Sequence, residues 1–347
     1  MEAVTVARPR WIVEIAGKDI TRDIAPFVIA ISYTDALHGE AEDLSLTVEN
    51  SDGRWLNDWM PAKGDGLKAW FGYEGGPLQP TAPFQVDELE YSIGPDTLAI
   101  KGVAAGVKPA LRTRRSAGYD QTTLKAVVDD VAGRHGLTVR GEVEATPVAR
   151  LTQNRERDLA FLKRVAQEHG YVCTVRGNDL VMAKVEDLKA QATGLTITRT
   201  MARQGGGTLK LTSAGHYRKA RVTHHDPHTK TLIAGEAEDE GVDGEDVLRL
   251  NERAESPGHA KARARAALEH ANRSKREGSL SLVGEPRLAA GVTIGLDGFG
   301  AFDGRYLVEK ATHAIDRSGG YSTSIEFKDG GDAKGAKGTA QSGKKGA

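Results

Sequence analysis

The stretch DLAFLKRVAQEHGYVCTV, Asp158 to Val175, decides the reading of this chain. Leu159, Leu162, Val165 and Ala166 recur at helical spacing, Phe161 and Val165 form an i, i+4 pair, and Gly170 follows as a stop. Tyr171, Cys173 and Val175 then alternate with Val172 and Thr174, and Gly177-Asn178-Asp179 supplies the residues of a tight turn into Leu180 to Val185. The spacing predicts a helix packed on a β-hairpin, with Leu159, Phe161, Leu162, Val165, Gly170 and Tyr171 as its structural residues. Nothing in it names a chemistry.

Upstream, Leu124, Val127, Val128 and Val131 make a second helical stripe, capped by Thr122 or Thr123 and ended by Gly136. Val131-Ala132 and His135-Gly136 recur 34 positions later as Val165-Ala166 and His169-Gly170. A tetratricopeptide array has that period, but the strands between these helices exclude it, leaving a repeated helix-glycine-strand unit. The two histidines sit where a helix dipole favours imidazolium, and they suggest a metal only weakly.

On the N-terminal side the pattern is short strands. Trp11, Val13 and Ile15 alternate with polar or small residues up to a hairpin signal at Ala16-Gly17-Lys18-Asp19, and a strand from Phe27 to Tyr33 follows. Leu44, Leu46 and Val48 alternate strictly with Ser45, Thr47 and Glu49, which predicts one buried and one wet face. Further strands fit Leu67 to Tyr73, Phe84 to Tyr91 and Thr97 to Val103. All four tryptophans, Trp11, Trp55, Trp59 and Trp70, fall in this part; they read as core or interface residues, with a stacking platform for glycan or bases as the alternative.

Between Pro109 and Gly118 lie Arg112, Arg114 and Arg115, read as a linker whose arginines are solvated, pair with acids across an interface, or grip phosphate. After Gly194 strands resume at Leu209 to Thr212, Ala220 to Val222 and Thr231 to Ala234. His224, His225, Asp226 and His228 resemble a metal cluster, but the two adjacent histidines would point to opposite faces of a strand and Asp226-Pro227 starts a turn, so a solvated hairpin tip fits better. Glu236 to Asp246 holds seven acids without calcium-loop spacing and reads as a solvated loop; Ala260 to Asn272 reads as a third helix. Strands fit Ser279 to Val283, Val292 to Leu296, Arg305 to Lys310 and Tyr321 to Phe327, and the glycine- and lysine-rich end reads as a disordered tail over 331–347.

Composition narrows the function classes. With 47 Lys and Arg against 48 Asp and Glu in 347 residues, the net charge gives no general drive toward nucleic acid or anionic membrane. No apolar run reaches membrane-span length, and Met1-Glu2-Ala3 lacks the order of a signal peptide, so synthesis in a cytosol is expected. The single cysteine, Cys173, excludes an intrachain disulfide and reads as a buried apolar residue. The 41 glycines fit many short strands. The zinc-protease, nucleophile-elbow, dinucleotide and kinase motifs are missing, and the near phosphate-loop at Gly338 to Lys344 lacks its Ser or Thr and its flanking elements. No catalytic, cofactor or metal residue is therefore assigned.

Three segments carry a family resemblance. Gly17-Lys18-Asp19-Ile20-Thr21 with Glu42-Asp43-Leu44-Ser45-Leu46, the helix DLAFLKRVAQEHGY, and GEPRLAAGVTIGLDGFGAFDGRYLVEKATHAIDRSGGYSTSIEF from Gly284 to Phe327 together resemble the phage late control protein D family, the baseplate hub of contractile tails, related to the hub part of type VI secretion spike proteins. The resemblance implies a mixed, β-rich α+β chain: a first antiparallel β-barrel-like domain over 1–108, a helix and hairpin connector over 109–193, and a second barrel-like domain over 194–330 with the acidic loop and helix, about 236–276, inserted. It also implies a non-enzymatic homotrimer whose ring joins a sixfold tail tube to a threefold spike in a virion, a tailocin-like particle or a related device. Expected partners are a spike protein, a tube or tube-initiator protein and a tape-measure protein, without sequence-specific nucleic acid or stable membrane insertion. The rival readings are a tail-associated wall hydrolase and a glycan-binding tail protein.

Overall fold

Alternation of apolar and polar residues sets the strands, and the computed structural model describes them over residues 7–37, 42–105, 113–212, 215–226, 230–242, 244–254 and 256–330. Arg112, His228 and the tail at 331–347 lie outside the described residues, as does the boundary placed at 108. In chain order the first part holds β1 (Pro9–Ile15), β2 (Lys18–Asp19), α1 (Thr21–Ile24), β3 (Val28–Ala36), β4 (Asp43–Glu49), β5 (Gly66–Tyr73), β6 (Gln79–Pro80), β7 (Phe84–Ser92) and β8 (Thr97–Ala104). The middle holds β9 (Arg114–Thr123), α2 (Leu124–His135), β10 (Thr138–Arg140), β11 (Pro147–Arg157), α3 (Asp158–Glu168), β12 (Tyr171–Arg176), β13 (Asp179–Lys184) and α4 (Val185–Ala190). The last part holds β14 (Leu195–Thr198), α5 (Arg199–Gly205), β15 (Gly207–Leu211), β16 (Lys219–Asp226), β17 (Thr231–Glu238), β18 (Val247–Asn251), α6 (Pro257–Asn272), β19 (Arg276–Val283), β20 (Thr293–Asp297), β21 (Gly304–Asp316) and β22 (Gly320–Asp329).

The fold is mixed and β-rich, as expected. Its main sheet runs β15-β19-β22-β21-β3-β4-β8-β7-β5-β1-β2, with β6, β14 and β20 paired off that path, and no sheet among the described residues closes into a barrel. The N-terminal and C-terminal strands thus share one sheet. They meet where β3 and β21 run antiparallel from Ala30↔Asp316 to Ala36↔Lys310. β21 extends well past the Arg305 to Lys310 read from sequence, and that extension makes the junction.

Two cores lie along this sheet. The N-terminal one takes Leu44, Leu46 and Val48 from β4, each at most 1% exposed, with Trp55, Phe71 and Phe84, and it also recruits Ile315 and Tyr321 from β21 and β22. His313 of β21 is buried there, its ring stacked on Tyr33 and Phe71 at 6.3 and 6.1 Å. Its Nδ1 lies 2.9 Å from the Tyr321 hydroxyl and its Nε2 donates to the Leu288 carbonyl at 2.9 Å; burial lowers its pKa. The C-terminal core gathers Ile197, Leu280, Leu282, Ile294, Tyr306 and Phe327.

Two further units differ from the sequence reading. Strands near Ala220 and Thr231, expected in the second barrel, form a separate sheet, β17-β16-β18, covered by α6 through Ala260, Ala264 and Leu268. Part of the expected acidic loop belongs to it: Glu236 and Glu238 lie on β17. The described part of the basic linker is a strand, since β9 pairs with β11 as a two-stranded ribbon that carries Arg114 and Arg115.

Candidate functional site

The helix and hairpin of the middle part form a core of their own, and this connector is the candidate site. On α3, Phe161, Leu162 and Val165 are at most 1% exposed, while Leu159 is half-buried against the same cluster. They meet Leu124, Val127, Val128 and Val131 of α2, and Tyr171, Cys173, Val175, Leu180 and Met182 of the hairpin. Phe161 stacks on Tyr119 of the ribbon at 5.7 Å. Gly170 has φ of +77°, a left-handed conformation that lets the chain leave α3 and enter β12 at once. Tyr171 is buried and its hydroxyl accepts from the Glu144 amide at 3.2 Å. All six expected structural residues thus fall in one place.

The start of α3 is pinned by charge that the sequence reading passed over. Asp158 is 1% exposed; its Oδ2 lies 2.7 Å from His135 Nε2, which donates to it, and its Oδ1 accepts from Gln153 Nε2 at 2.7 Å. Burial alone would raise the Asp158 pKa, but those hydrogen bonds and the Arg134 guanidinium at 3.4 Å outweigh it and hold the carboxyl below its ordinary range. Thr123 caps α2 by accepting from the Ala126 amide at 3.2 Å.

The repeated histidines do not converge. His135 serves Asp158, whereas His169 Nδ1 donates to the Val165 carbonyl at 2.8 Å and its ring stacks on His259. His224 and His225 are adjacent on β16, and no metal-grade cluster of side chains occurs among the described residues. Burial pushes the Cys173 thiol up to about 12, so it stays protonated at neutral pH. Trp55 is fully buried, and Trp59 faces Trp55 and Phe27 with the Arg54 guanidinium over its ring, so these rings are used internally.

Where the connector meets the main sheet, Arg176 pairs with two acids across the seam. Arg176 at the end of β12 donates from Nη2 to Asp35 Oδ1 at 2.6 Å and from Nε to Glu42 Oε1 at 3.3 Å. The Asp35 and Glu42 side chains are only 4% and 3% exposed. Asp35 Oδ2 also accepts from the Ala290 amide at 3.0 Å, so one carboxylate ties β3 to the connector and to the segment before β20. Burial pushes the Glu42 carboxyl up to about 7 against the pull of Arg176, and the nearby Asp35 charge adds to the rise. Beside these charges Leu37, Val172, Val185 and Leu307 form a small apolar cluster across the same seam. Arg176, Asp35 and the Leu37 cluster join the middle part to β3 and to the segment before β20. No helix among the described residues is long and apolar enough to cross a membrane.

Comparison with known proteins gives the family. Residues 106–319 match the family model described as phage tail baseplate hub. Two proteins each named "Probable baseplate hub protein", from Escherichia phages 186 and P2, are 28% and 27% identical over 232 residues, 66% of this chain. That stretch spans 59% of each relative's own length. The crystal structure of a 43 kDa tail protein of prophage MuSo2 from Shewanella oneidensis superposes with a TM-score of 0.68 at 15% identity, over 92% of this chain and all of that one, a likeness of fold. The chain belongs to the phage tail baseplate hub family.

Proposed function

We propose that this hub-family chain assembles as a homotrimer whose ring joins a sixfold tail tube to a threefold spike, and that its role is geometric and not enzymatic. The observation that carries the reading is the ladder of seven residue pairs between β3 and β21. It makes the N-terminal and C-terminal strands one sheet, and β21 and β22 complete the N-terminal core. Close-packed interiors have low compressibility, so strain entering one end of such a sheet is passed to the other.

In this reading the main-sheet strands of 1–108 and those of 194–330, without the separate β17-β16-β18 sheet, are the two barrel-like domains that a subunit gives to a pseudo-sixfold ring. Residues 109–193 are the connector, and Leu159, Phe161, Leu162, Val165, Gly170 and Tyr171 hold its shape. A spike protein, a tube or tube-initiator protein and a tape-measure protein are the partners, in a phage baseplate or a related particle. The hub name carried by the phage relatives favours this role over wall hydrolysis or glycan binding. Light scattering on the full chain tests the oligomer: three chains per particle are expected, and a monomer at assembly concentrations overturns the ring. Zymography on peptidoglycan tests the enzymatic alternative, and clearing by the purified chain would replace the structural reading.

A further inference from the structure

The ribbon of β9 and β11 ends in a group of arginines that the connector does not use. Arg114 lies directly across from Arg157, and Arg115 across from Glu156. Like charges opposed across a strand pair are unfavourable. Glu156 does not relieve them, because Arg164 holds it from both sides, Nη2 to Oε1 at 3.0 Å and Nε to Oε2 at 3.2 Å. Arg155 sits at the irregularity in β11 with φ of +50°. Arg114, Arg115, Arg155 and Arg157 are all exposed, and the ion pairs among the described residues include none of them. Among the described residues β9 and β11 pair with no third strand.

The inserted unit shows the opposite imbalance. Along β17 the acids are matched: Glu236 with Arg221 at 3.4 Å, and Glu238 with Arg218 at 3.0 Å and Lys219 at 3.7 Å. In the connection from β17 to β18 the matching stops. Glu240, Glu245 and Asp246 are exposed and form no ion pair among the described residues. Among the described residues, one chain therefore carries an arginine patch and an acidic connection without ion pairs, on different units.

We infer that the arginine end of the β9 and β11 ribbon on one copy receives the acidic connection between β17 and β18 of the next copy. Two complementary patches at different places on one surface make a head-to-tail contact, which repeats around a ring when the rotation closes. Arginine suits this role because its planar fork donates two parallel N–H bonds to one carboxylate, and such a contact sets register and association rate more than raw affinity. The inference rests on the trimeric reading and adds the surface through which successive copies meet.

The test is charge reversal with rescue, read as the concentration at which trimers form by light scattering, with circular dichroism melting to confirm folding. Arg114→Glu, Arg155→Glu and Arg157→Glu together, or Glu240→Lys, Glu245→Lys and Asp246→Lys together, are each expected to raise that concentration by about tenfold or more. All six in one chain are expected to bring it back close to the original value. Wild-type assembly should also weaken as salt rises, and Arg114→Gln, Arg155→Gln and Arg157→Gln together should flatten that dependence, a readout that does not need the reversed variants to fold. A trimer indifferent to both reversals overturns this inference alone. Loss that the six-fold reversal does not restore also overturns it, assigning the arginines to another anion. A monomeric wild type overturns both it and the ring.

Discussion

The side-chain-filled cores and the inserted unit are closed in contrasting ways. The N-terminal core is packed by Trp55, Phe71, Phe84 and Tyr33 with His313 and Tyr321 arriving from the far end of the chain, and the connector by Phe161 against Tyr119. In the inserted unit the interior is Ala220, Val222, Ala254, Ala260, Ala264 and Leu268, and backbone approaches backbone: a Cβ on Gly235 would stand 2.1 Å from the Lys261 amide nitrogen. Large side chains fix the bodies that hold the sheet together. Small residues let α6 lie almost on its sheet, where a helix can close a unit with little apolar area. The first kind of core is broken by removing atoms and the second by adding them.

The largest expected effect follows from the first kind. Phe161→Ala removes a fully buried ring and leaves a cavity, at a cost of about 3–5 kcal/mol. Chemical denaturation checks it, and a midpoint close to wild type would show that the connector relaxes around the hole. Next, Arg176→Ala leaves the buried Asp35 and Glu42 carboxyls without their cation. Arg176 is itself partly exposed, so the expected loss is about 2–4 kcal/mol, seen as a lower denaturation midpoint at pH 8. A loss below about 0.5 kcal/mol would class the seam with ordinary surface pairs.

Glu42 gives the seam a pH signature. Its folded pKa of about 7 lies above the ordinary 4.5, so the folded chain holds a proton there that the unfolded chain has released. The associated stability is fully present below about 4.5 and is lost as pH rises through 7. Glu42→Gln removes this titration, so its stability relative to wild type should improve by about 2–3 kcal/mol between pH 5 and pH 8. An unchanged difference across that range would contradict the burial argument. The smallest effect is the additive one: Gly235→Ala should cost about 1–3 kcal/mol by forcing α6 off its sheet. Hydrogen exchange should show the loss confined to β16, β17, β18 and α6, whereas exchange rising equally at β3 and β21 would join the insert to the main body.

What could be read from sequence followed the same divide. The α3 stripe and the alternation of β4 put large apolar residues at regular intervals, and both elements appear where expected. Alanines and a glycine give little hydrophobic signal in the inserted unit, so from sequence its strands read as part of a barrel and its β17 acids as a loop. The β9 ribbon reads as a linker for a related reason, since Tyr119 is the one large apolar residue between Arg114 and Thr123. Alternation also shows which face of a strand is buried, without naming the neighbouring strand. The β3 and β21 ladder, and the Arg176 to Asp35 bond between residues 141 apart, therefore had no local trace.

The central claim is that one continuous sheet per subunit builds a three-membered hub. The most direct measurement is the mass of the full chain by light scattering across a concentration series, alone and with a candidate spike protein. The account predicts three chains per particle and one spike trimer captured per hub. A particle that stays monomeric throughout, with or without the spike, would contradict it.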